Sequence, residues 1–299
     1  MRKDVLRRPL PVVDGVAPSR QTLPAGRWRT VLEFLSERHV SVGPEAWAAR
    51  MREGRVVDEA GRVVTPESPY RAGACVYYYR EPGAETRVPS QERILHLDEH
   101  VLVADKPHFL AVAPAGRFLR ETLLVRLKRR TQLDALVPVH RIDRETAGLV
   151  VFSVNPSTRG AYATLFQRRE VLKVYEALSR AAPRLDLPLT RRSRVVAGEP
   201  FFRMKEVEGE PNSETRVDLI EHCDDVSLYE ARPLTGRKHQ VRLHLAALGI
   251  PILNDRLYPE VLPEAPEDFS APLKLLARSV SFRDPLTGGE RYFRSEREL

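Results

Sequence analysis

The sequence predicts an α+β protein in two parts: a small N-terminal α/β module, then a larger domain with a mixed, largely antiparallel central sheet and flanking helices around a cleft. Three observations carry this expectation. Two short helical periods precede strand-like runs within residues 27–82, and a stretch with prolines and no hydrophobic period follows them. Beyond it, strand-like runs alternate with amphipathic helices, and one run, "GLVVFSV", is apolar on both faces and too short for a typical helix. At 299 residues the chain has room for a sizeable core plus one appended module.

In chain order, residues 1–26 read as an N-terminal extension. Residues 28–38, "WRTVLEFLSER", set Val31, Phe34 and Leu35 at helical spacing, and residues 44–54 give a second helix from Pro44 to Gly54. "RVVD", a turn at 59–61, "RVVT" and "ACVYYYR" follow as short antiparallel strands. Residues 83–90 read as the linker, and the second domain occupies 91–299. There "RILHLDEHVLVADKP" predicts two strands around an acidic turn, and "ETLLVRLKRR" a helix with Leu123, Leu124 and Leu127 inward. "PSTRGAYATLFQRR" predicts a helix buried along Ala161, Leu165 and Phe166. "VLKVYEALS" predicts a strand with Leu172, Val174 and Leu178 on its more apolar face and Lys173 and Tyr175 on the other. Residues 235–249 predict a helix capped by Thr235 and stopped at Gly249, with Val241, Leu245 and Leu248 as its stripe. Residues 181–216, rich in prolines, arginines and glutamates, carry little periodicity and predict a hairpin or an ordered loop over the cleft.

The first twenty residues contain no continuous apolar segment of the kind that directs export, and no later run is long enough to span a bilayer, which predicts a soluble cytoplasmic protein. Cys75 and Cys223 stand far apart and outside metal-ligand spacing, so neither a disulfide framework nor a zinc site is expected. The net charge of +7 is dominated by arginine, which suits bidentate contact with phosphate, although 41 acidic residues dilute the field. Charge therefore does not choose between a nucleic-acid partner and a solvated basic surface.

The chemistry concentrates in three motifs. "HRIDRETAGL" carries Asp143 between Arg141 and Arg144 to the edge of the "GLVVFSV" strand, "KVYEAL" places Tyr175, and "TGRKHQVRLH" groups Arg237, Gln240 and His244. His140, His239 and His244 lack the spacing of a metal site and read as structural or RNA-facing, and Ser153 and Ser227 lack a nucleophile-elbow context.

Together these motifs resemble the RluA-type pseudouridine synthases, and "ADKPHFLAV", "GIPILND" with Tyr258, and "LKLLARSVSFRDPLTG" extend the match over nearly all of residues 91–290. The N-terminal block, through "VLEFLSER", "MREGRVVDEAGRVV" and "YRAGACVYYY", resembles the S4 RNA-binding domain and covers residues 27–82. The first resemblance implies isomerisation of uridine in RNA. It assigns Asp143 as the essential aspartate, Tyr175 as the active-site tyrosine, Arg237 as the arginine paired with the aspartate, and Arg141 as the residue that fills the gap left by a flipped nucleotide. The second implies that Arg50, Arg52 and Arg55 contact RNA backbone. A solvated basic face is the plainer alternative for those three.

The reaction implied here breaks the N1–C1′ bond, turns the uracil and joins C5 to the same carbon. It needs no redox step or group donor, so no cofactor and no metal are expected. One ionised carboxylate serves as nucleophile at C1′ or as base at the 2′ position. Tyr175 would pack on the uracil and assist removal of the C5 proton. The chain departs from the family pattern at His108, Ala147, Asn254, Pro259 and Leu276, which touches the identity of the RNA more than the chemistry. The expected substrate is large-subunit ribosomal RNA, with transfer RNA as the alternative. The protein is expected to be a monomer. A non-catalytic RNA-binding assembly factor fits the joint presence of Asp143, Tyr175 and Arg237 less well, and a glycosidase would need a second catalytic carboxylate.

Overall fold

The computed structural model of the chain describes residues 9–81, 83–180, 185–263, 265–266 and 268–299. The chain divides into two compact units, Met1–Glu85 and Thr86–Leu299. Among the described residues no helix is long and apolar enough to cross a membrane.

The first unit holds β1 (Ser19–Thr22), α1 (Val31–Arg38), α2 (Pro44–Arg52), β2 (Val56–Asp58) and β3 (Cys75–Tyr78). α1 starts where the Thr30 hydroxyl accepts the Glu33 amide at 3.1 Å while Glu33 reaches back to the Arg29 amide at 2.7 Å. Such caps satisfy amides that have no partner within the helix and contribute about 1 kcal/mol each. Val31, Phe34 and Leu35 of α1 and Trp47 and Met51 of α2 close over Val56, Val76 and Tyr78. The sheet order is β1-β3-β2. Ser19–Thr22 thus pairs along Cys75–Tyr78, and part of the stretch read as an N-terminal extension is a strand of the module. Its polar sequence, "SRQT", carries no apolar alternation to announce it. The first eight residues of that extension lie outside the described residues. The "RVVT" run forms only a bridge, Val57 to Val63.

In the second unit β4 (Arg93–Leu97), β5 (Val101–Lys106), α3 (Leu123–Thr131), β6 (Val137–Pro138), β7 (Ala147–Ser153), α4 (Arg159–Gln167) and β8 (Leu172–Arg180) come first. They are followed by β9 (Leu189–Ala197), β10 (Met204–Val207), β11 (Ser213–Cys223), β12 (Val226–Pro233), α5 (Gln240–Ala247), β13 (Leu275–Arg283) and β14 (Glu290–Arg294). Among the described residues the strands make one 11-stranded sheet in the order β10-β9-β11-β12-β8-β13-β7-β5-β4, with β14 on β13 and β6 on β7. Only the β13–β7 pair is parallel, so the sheet is mixed and largely antiparallel and the class is α+β, as the sequence predicts. Residues 189–207 form the β9–β10 hairpin, and residues 181–184 at the start of that poorly readable stretch lie outside the described residues.

β7 is buried along its whole length. Val150 and Phe152 pack with Leu123 and Leu127 of α3 on one side, and Leu149 and Val151 with Tyr162 and Leu165 of α4 on the other. α3 buries Leu123 and Leu127, with Leu124 half-buried against the same cluster, and Val125 is buried in addition. α4 turns Tyr162 and Leu165 inward. Gly148 is required by the parallel pair: its φ is +109°, and a Cβ there would stand 2.3 Å from the Ala277 carbonyl oxygen.

Two local expectations change. On β8 the expected apolar face is the more open one, with Leu172 72% exposed, whereas Ala177 and Ser179 are buried on the Tyr175 side. That side packs beneath α5, where Tyr175 and Ala177 join Val241, Leu245 and Ile250. α5 also starts at Gln240, not at Thr235, after a left-handed His239 with φ of 56°. The capping oxygen of Thr235 is instead engaged by the Glu214 amide and by the Gln240 side chain.

Candidate active site

Asp143 lies on the loop between β6 and β7, and three side chains tie this loop down. The His140 Nε2 accepts the Val151 amide at 3.0 Å, and its ring stacks on Phe166 at 4.6 Å. Burial, helped by the charge of Lys173, pushes this imidazole down to about 3, so it stays neutral. The buried Lys106 donates to the carbonyls of Pro107, Leu110 and Arg144 at 2.9, 2.8 and 3.0 Å. His108, one of the departures from the family pattern, donates through Nδ1 to the Glu145 carbonyl at 2.7 Å. Ile142 is buried in the cluster below, so the neighbouring aspartate is held at the rim of the sheet with its side chain 19% exposed.

Asp143 opens into a cleft of about 460 Å³, large enough for a nucleoside. Arg141, Arg169, Lys173, Arg237 and Arg242 line it, and Asp143 is the only carboxylate among the described residues that do. The cleft is therefore cationic apart from one acid. Tyr175 forms part of its wall. Burial and the nearby Asp143 push the tyrosine hydroxyl well above its ordinary range, which keeps it protonated and restricts it to packing and donation.

The arginine that meets Asp143 is Arg242, at 3.5 Å from Nη1 to Oδ2. Arg237, expected in that place, is exposed. Its Nε donates to the Asn212 carbonyl at 3.1 Å, and it lines the cleft some residues away from the acid. The reason is the start of α5: with helix only from Gln240, Arg242 falls in the first turn facing inward and Arg237 stays in the preceding loop. Arg242 is 1% exposed and is fixed by a bidentate pair with Asp255, at 2.8 and 2.7 Å. Its Nη1 makes no hydrogen bond. It faces both Asp143 and, at 3.6 Å, Glu145.

His239 also approaches Asp143, at 4.0 Å from Nε2 to Oδ1. Burial pushes its imidazole below the ordinary range although Asp143 opposes this, and its Nδ1 lies 3.1 Å from the Tyr258 hydroxyl. The loop 235–239 is shaped by Gln240. The Gln240 Oε1 accepts from the Thr235 hydroxyl and the Arg237 amide, and its Nε2 donates to the Glu214 carbonyl and the Thr215 hydroxyl. Lys173 adds a bond to the Thr235 carbonyl at 3.0 Å, and burial beside Arg169 pushes its ammonium down to about 8. His244 bonds to Ser193, Ser213 and Thr215 inside the fold.

Sequence reading missed Arg242, His239, Asp255, Glu145 and Lys106. The signal for Arg242 was present as a second arginine in "TGRKHQVRLH", but its orientation depends on the helix start. In the first unit, Arg50 is folded over Trp47, with its guanidinium 5.2 Å from the ring centroid, and pairs with Glu81 at 2.7 Å. Arg55 pairs with Glu53 and Glu81. Arg52 is exposed. The three expected RNA contacts are thus unequal, since two of them are already engaged with acids.

Residues 100–247 match the family model described as RNA pseudouridylate synthase. The chain is 31% identical over 234 residues to an uncharacterized RNA pseudouridine synthase of Synechocystis sp., covering 76% of this chain and 79% of the relative. It is 32% identical over 230 residues to the dual-specificity RNA pseudouridine synthase RluA of Salmonella typhimurium, covering 71% of this chain and 97% of that one. Among solved structures, human RNA pseudouridylate synthase domain containing 1 superposes with a TM-score of 0.58 at 25% identity, over 73% of this chain and 86% of that one. These matches place the chain among the RNA-modifying isomerases. The chain belongs to the RluA-type RNA pseudouridine synthase family, and its reaction is the isomerisation of uridine in RNA to pseudouridine.

Proposed function

We propose that Asp143 is the carboxylate that reacts with the target uridine and that Arg242, in the role expected of Arg237, supplies its countercharge. The observation that carries this reading is that Asp143 is the one acid among the described residues lining a cleft with five cations. RNA phosphates bind such a wall, and a lone carboxylate within it is positioned to meet a ribose. The same ionised group serves attack at C1′ or abstraction at the 2′ position. Tyr175 packs against the uracil and remains a hydrogen-bond donor because its hydroxyl stays protonated. Arg141, exposed at the cleft rim, fills the place of the flipped nucleotide, and Arg237 holds a phosphate.

The first unit is proposed as an S4-like module that recruits RNA, mainly through the exposed Arg52, with large-subunit ribosomal RNA as the substrate. Transfer RNA is the alternative. The protein is proposed to act as a cytoplasmic monomer. Pseudouridine mapping of total RNA from cells with the gene intact, deleted and rescued tests the whole reading. One modified position should vanish on deletion, return with the wild-type gene and stay absent with Asp143→Asn. Full rescue by that variant would overturn the assignment of Asp143, and the RNA in which the position lies decides between the two substrates.

A further inference from the structure

Arg242 divides its attention between two carboxylates, only one of which the reaction uses. Its Nη2 and Nε are saturated by Asp255. The remaining Nη1, in a side chain 1% exposed, makes no hydrogen bond and stands 3.5 Å from Asp143 and 3.6 Å from Glu145. A buried guanidinium edge midway between two acceptors can close on either one, because each separation exceeds a normal charge-assisted hydrogen bond by more than half an ångström. Glu145 is in turn held from its other side. Arg144 pairs with it at 3.1 Å and is itself stacked over Phe118, with its guanidinium 4.7 Å from the ring centroid. Arg144 and Glu145, which the catalytic scheme does not use, thus form a braced pair leaning on the same arginine as Asp143.

We propose that Glu145 is a positioning residue that competes with Asp143 for the free edge of Arg242 and so sets how much of that countercharge the reactive carboxylate receives. The inference rests on Asp143 being the reactive carboxylate. The groups facing Asp143 are Arg242 and His239 from the α5 side, Tyr175 from β8 and Lys106 from β5. Those facing Glu145 are Arg144 beside it in the loop, Arg242 and His239 from the α5 side, and Lys106 from β5. Burial opposes the charge on Glu145, but Arg242 and Arg144 overcome it and hold its carboxyl below the usual carboxylate range. The competitor is therefore negative wherever the enzyme works.

The test is the pH dependence of kcat/KM, read as release of tritium from RNA labelled at uracil C5 and extracted from cells lacking the gene. The acid limb of that profile reports protonation of the essential carboxylate in the free enzyme. Glu145→Gln removes the competing charge and keeps the shape, so the acid limb should move down by about one pH unit, while Glu145→Asp should keep it in place. An unchanged or raised limb in Glu145→Gln, or an equal shift in Glu145→Asp, overturns the proposal. If thermal melting shows that Glu145→Gln does not fold, Arg144→Met serves instead. It releases Glu145 from its other partner, and the limb should rise; no movement overturns the proposal. Asp143→Asn, assayed alongside, separates the two claims. If it is inactive and the Glu145 variants behave like wild type, only the competition fails, whereas an active Asp143→Asn removes the ground beneath both.

Discussion

The loop at 140–146 and the loop at 235–239 meet across the cleft and are held in opposite ways. The first is gripped at its backbone carbonyls by Lys106 and His108 from the β5 side, and its own His140 side chain anchors it to the β7 backbone. The second is shaped through one side chain, Gln240, which bonds Thr235 and Arg237 of the loop and Glu214 and Thr215 of neighbouring β11. The difference matches what each presents. A carboxylate that must meet one ribose carbon needs a fixed backbone. The second loop presents Arg237 exposed to the cleft, with its Nε bonded to the Asn212 carbonyl, which leaves the rest of the guanidinium open for the proposed phosphate contact. Arg242, just beyond the second loop, belongs by its burial to the first kind of site.

The most severe way to break the comparison is at Asp255. Asp255→Asn leaves Arg242 buried without its counterion, and stability should fall by about 3–5 kcal/mol in chemical denaturation, the range for removing one partner of a buried ion pair. Activity should fall with it, because the edge facing Asp143 loses its orientation. Next comes Gln240→Ala, which removes one bond each from the Thr235 hydroxyl, the Arg237 amide, the Glu214 carbonyl and the Thr215 hydroxyl. The expected loss is about 1–3 kcal/mol in the same measurement, with KM for RNA rising more than kcat falls. A Gln240→Ala enzyme with normal KM and reduced kcat would show that the second loop positions the chemistry and not the RNA.

Much of this architecture was legible in the chain, and the failures share a cause. The apolar run of β7 and the helix period of α1 reflect local patterning, so they could be read directly, whereas α4 buries Tyr162 with Leu165 where Ala161 was expected. The buried face of β8 could not, because it carries the polar Lys173, Tyr175 and Ser179 and is covered by α5 arriving from about sixty residues away, which half-buries Tyr175 and buries Ala177. The choice between Arg237 and Arg242 depended on where α5 starts, and that start is fixed by Gln240 reaching β11. The strand "SRQT" was invisible because both its faces are polar. Asp143 and Tyr175, by contrast, were named from motifs, and the fold places both on the same cleft.

Lys106 sharpens the comparison through pH. Burial pushes its ammonium down to about 7 from an ordinary value of 10.5, with Glu145 and Asp143 opposing the shift. Between those two pH values the unfolded chain holds a proton that the folded chain lacks, so this lysine makes stability rise with pH across that window. The slope from one such group reaches about 1.4 kcal/mol per pH unit. Wild type minus Lys106→Met should therefore become more favourable to wild type from pH 7 to 9 in urea unfolding. A flat difference would mean that Lys106 keeps its proton in the folded chain up to pH 9, so that its contacts to the carbonyls of Pro107, Leu110 and Arg144 outweigh the burial.

The smallest effect is expected at Arg237, and its smallness is the point. Arg237→Ala removes an exposed cation whose Nε is bonded to the Asn212 carbonyl and which makes no ion pair with Asp143. Binding of RNA should weaken with no sequence preference, and the slope of log affinity against log salt should drop by about one, as for loss of a single phosphate contact. The acid limb of the pH profile should stay in place, since the arginine that meets Asp143 is Arg242. Filter binding across a salt series and the rate profile together decide the matter. A shifted acid limb in Arg237→Ala would return the pairing role to that residue and erase the distinction between the two loops.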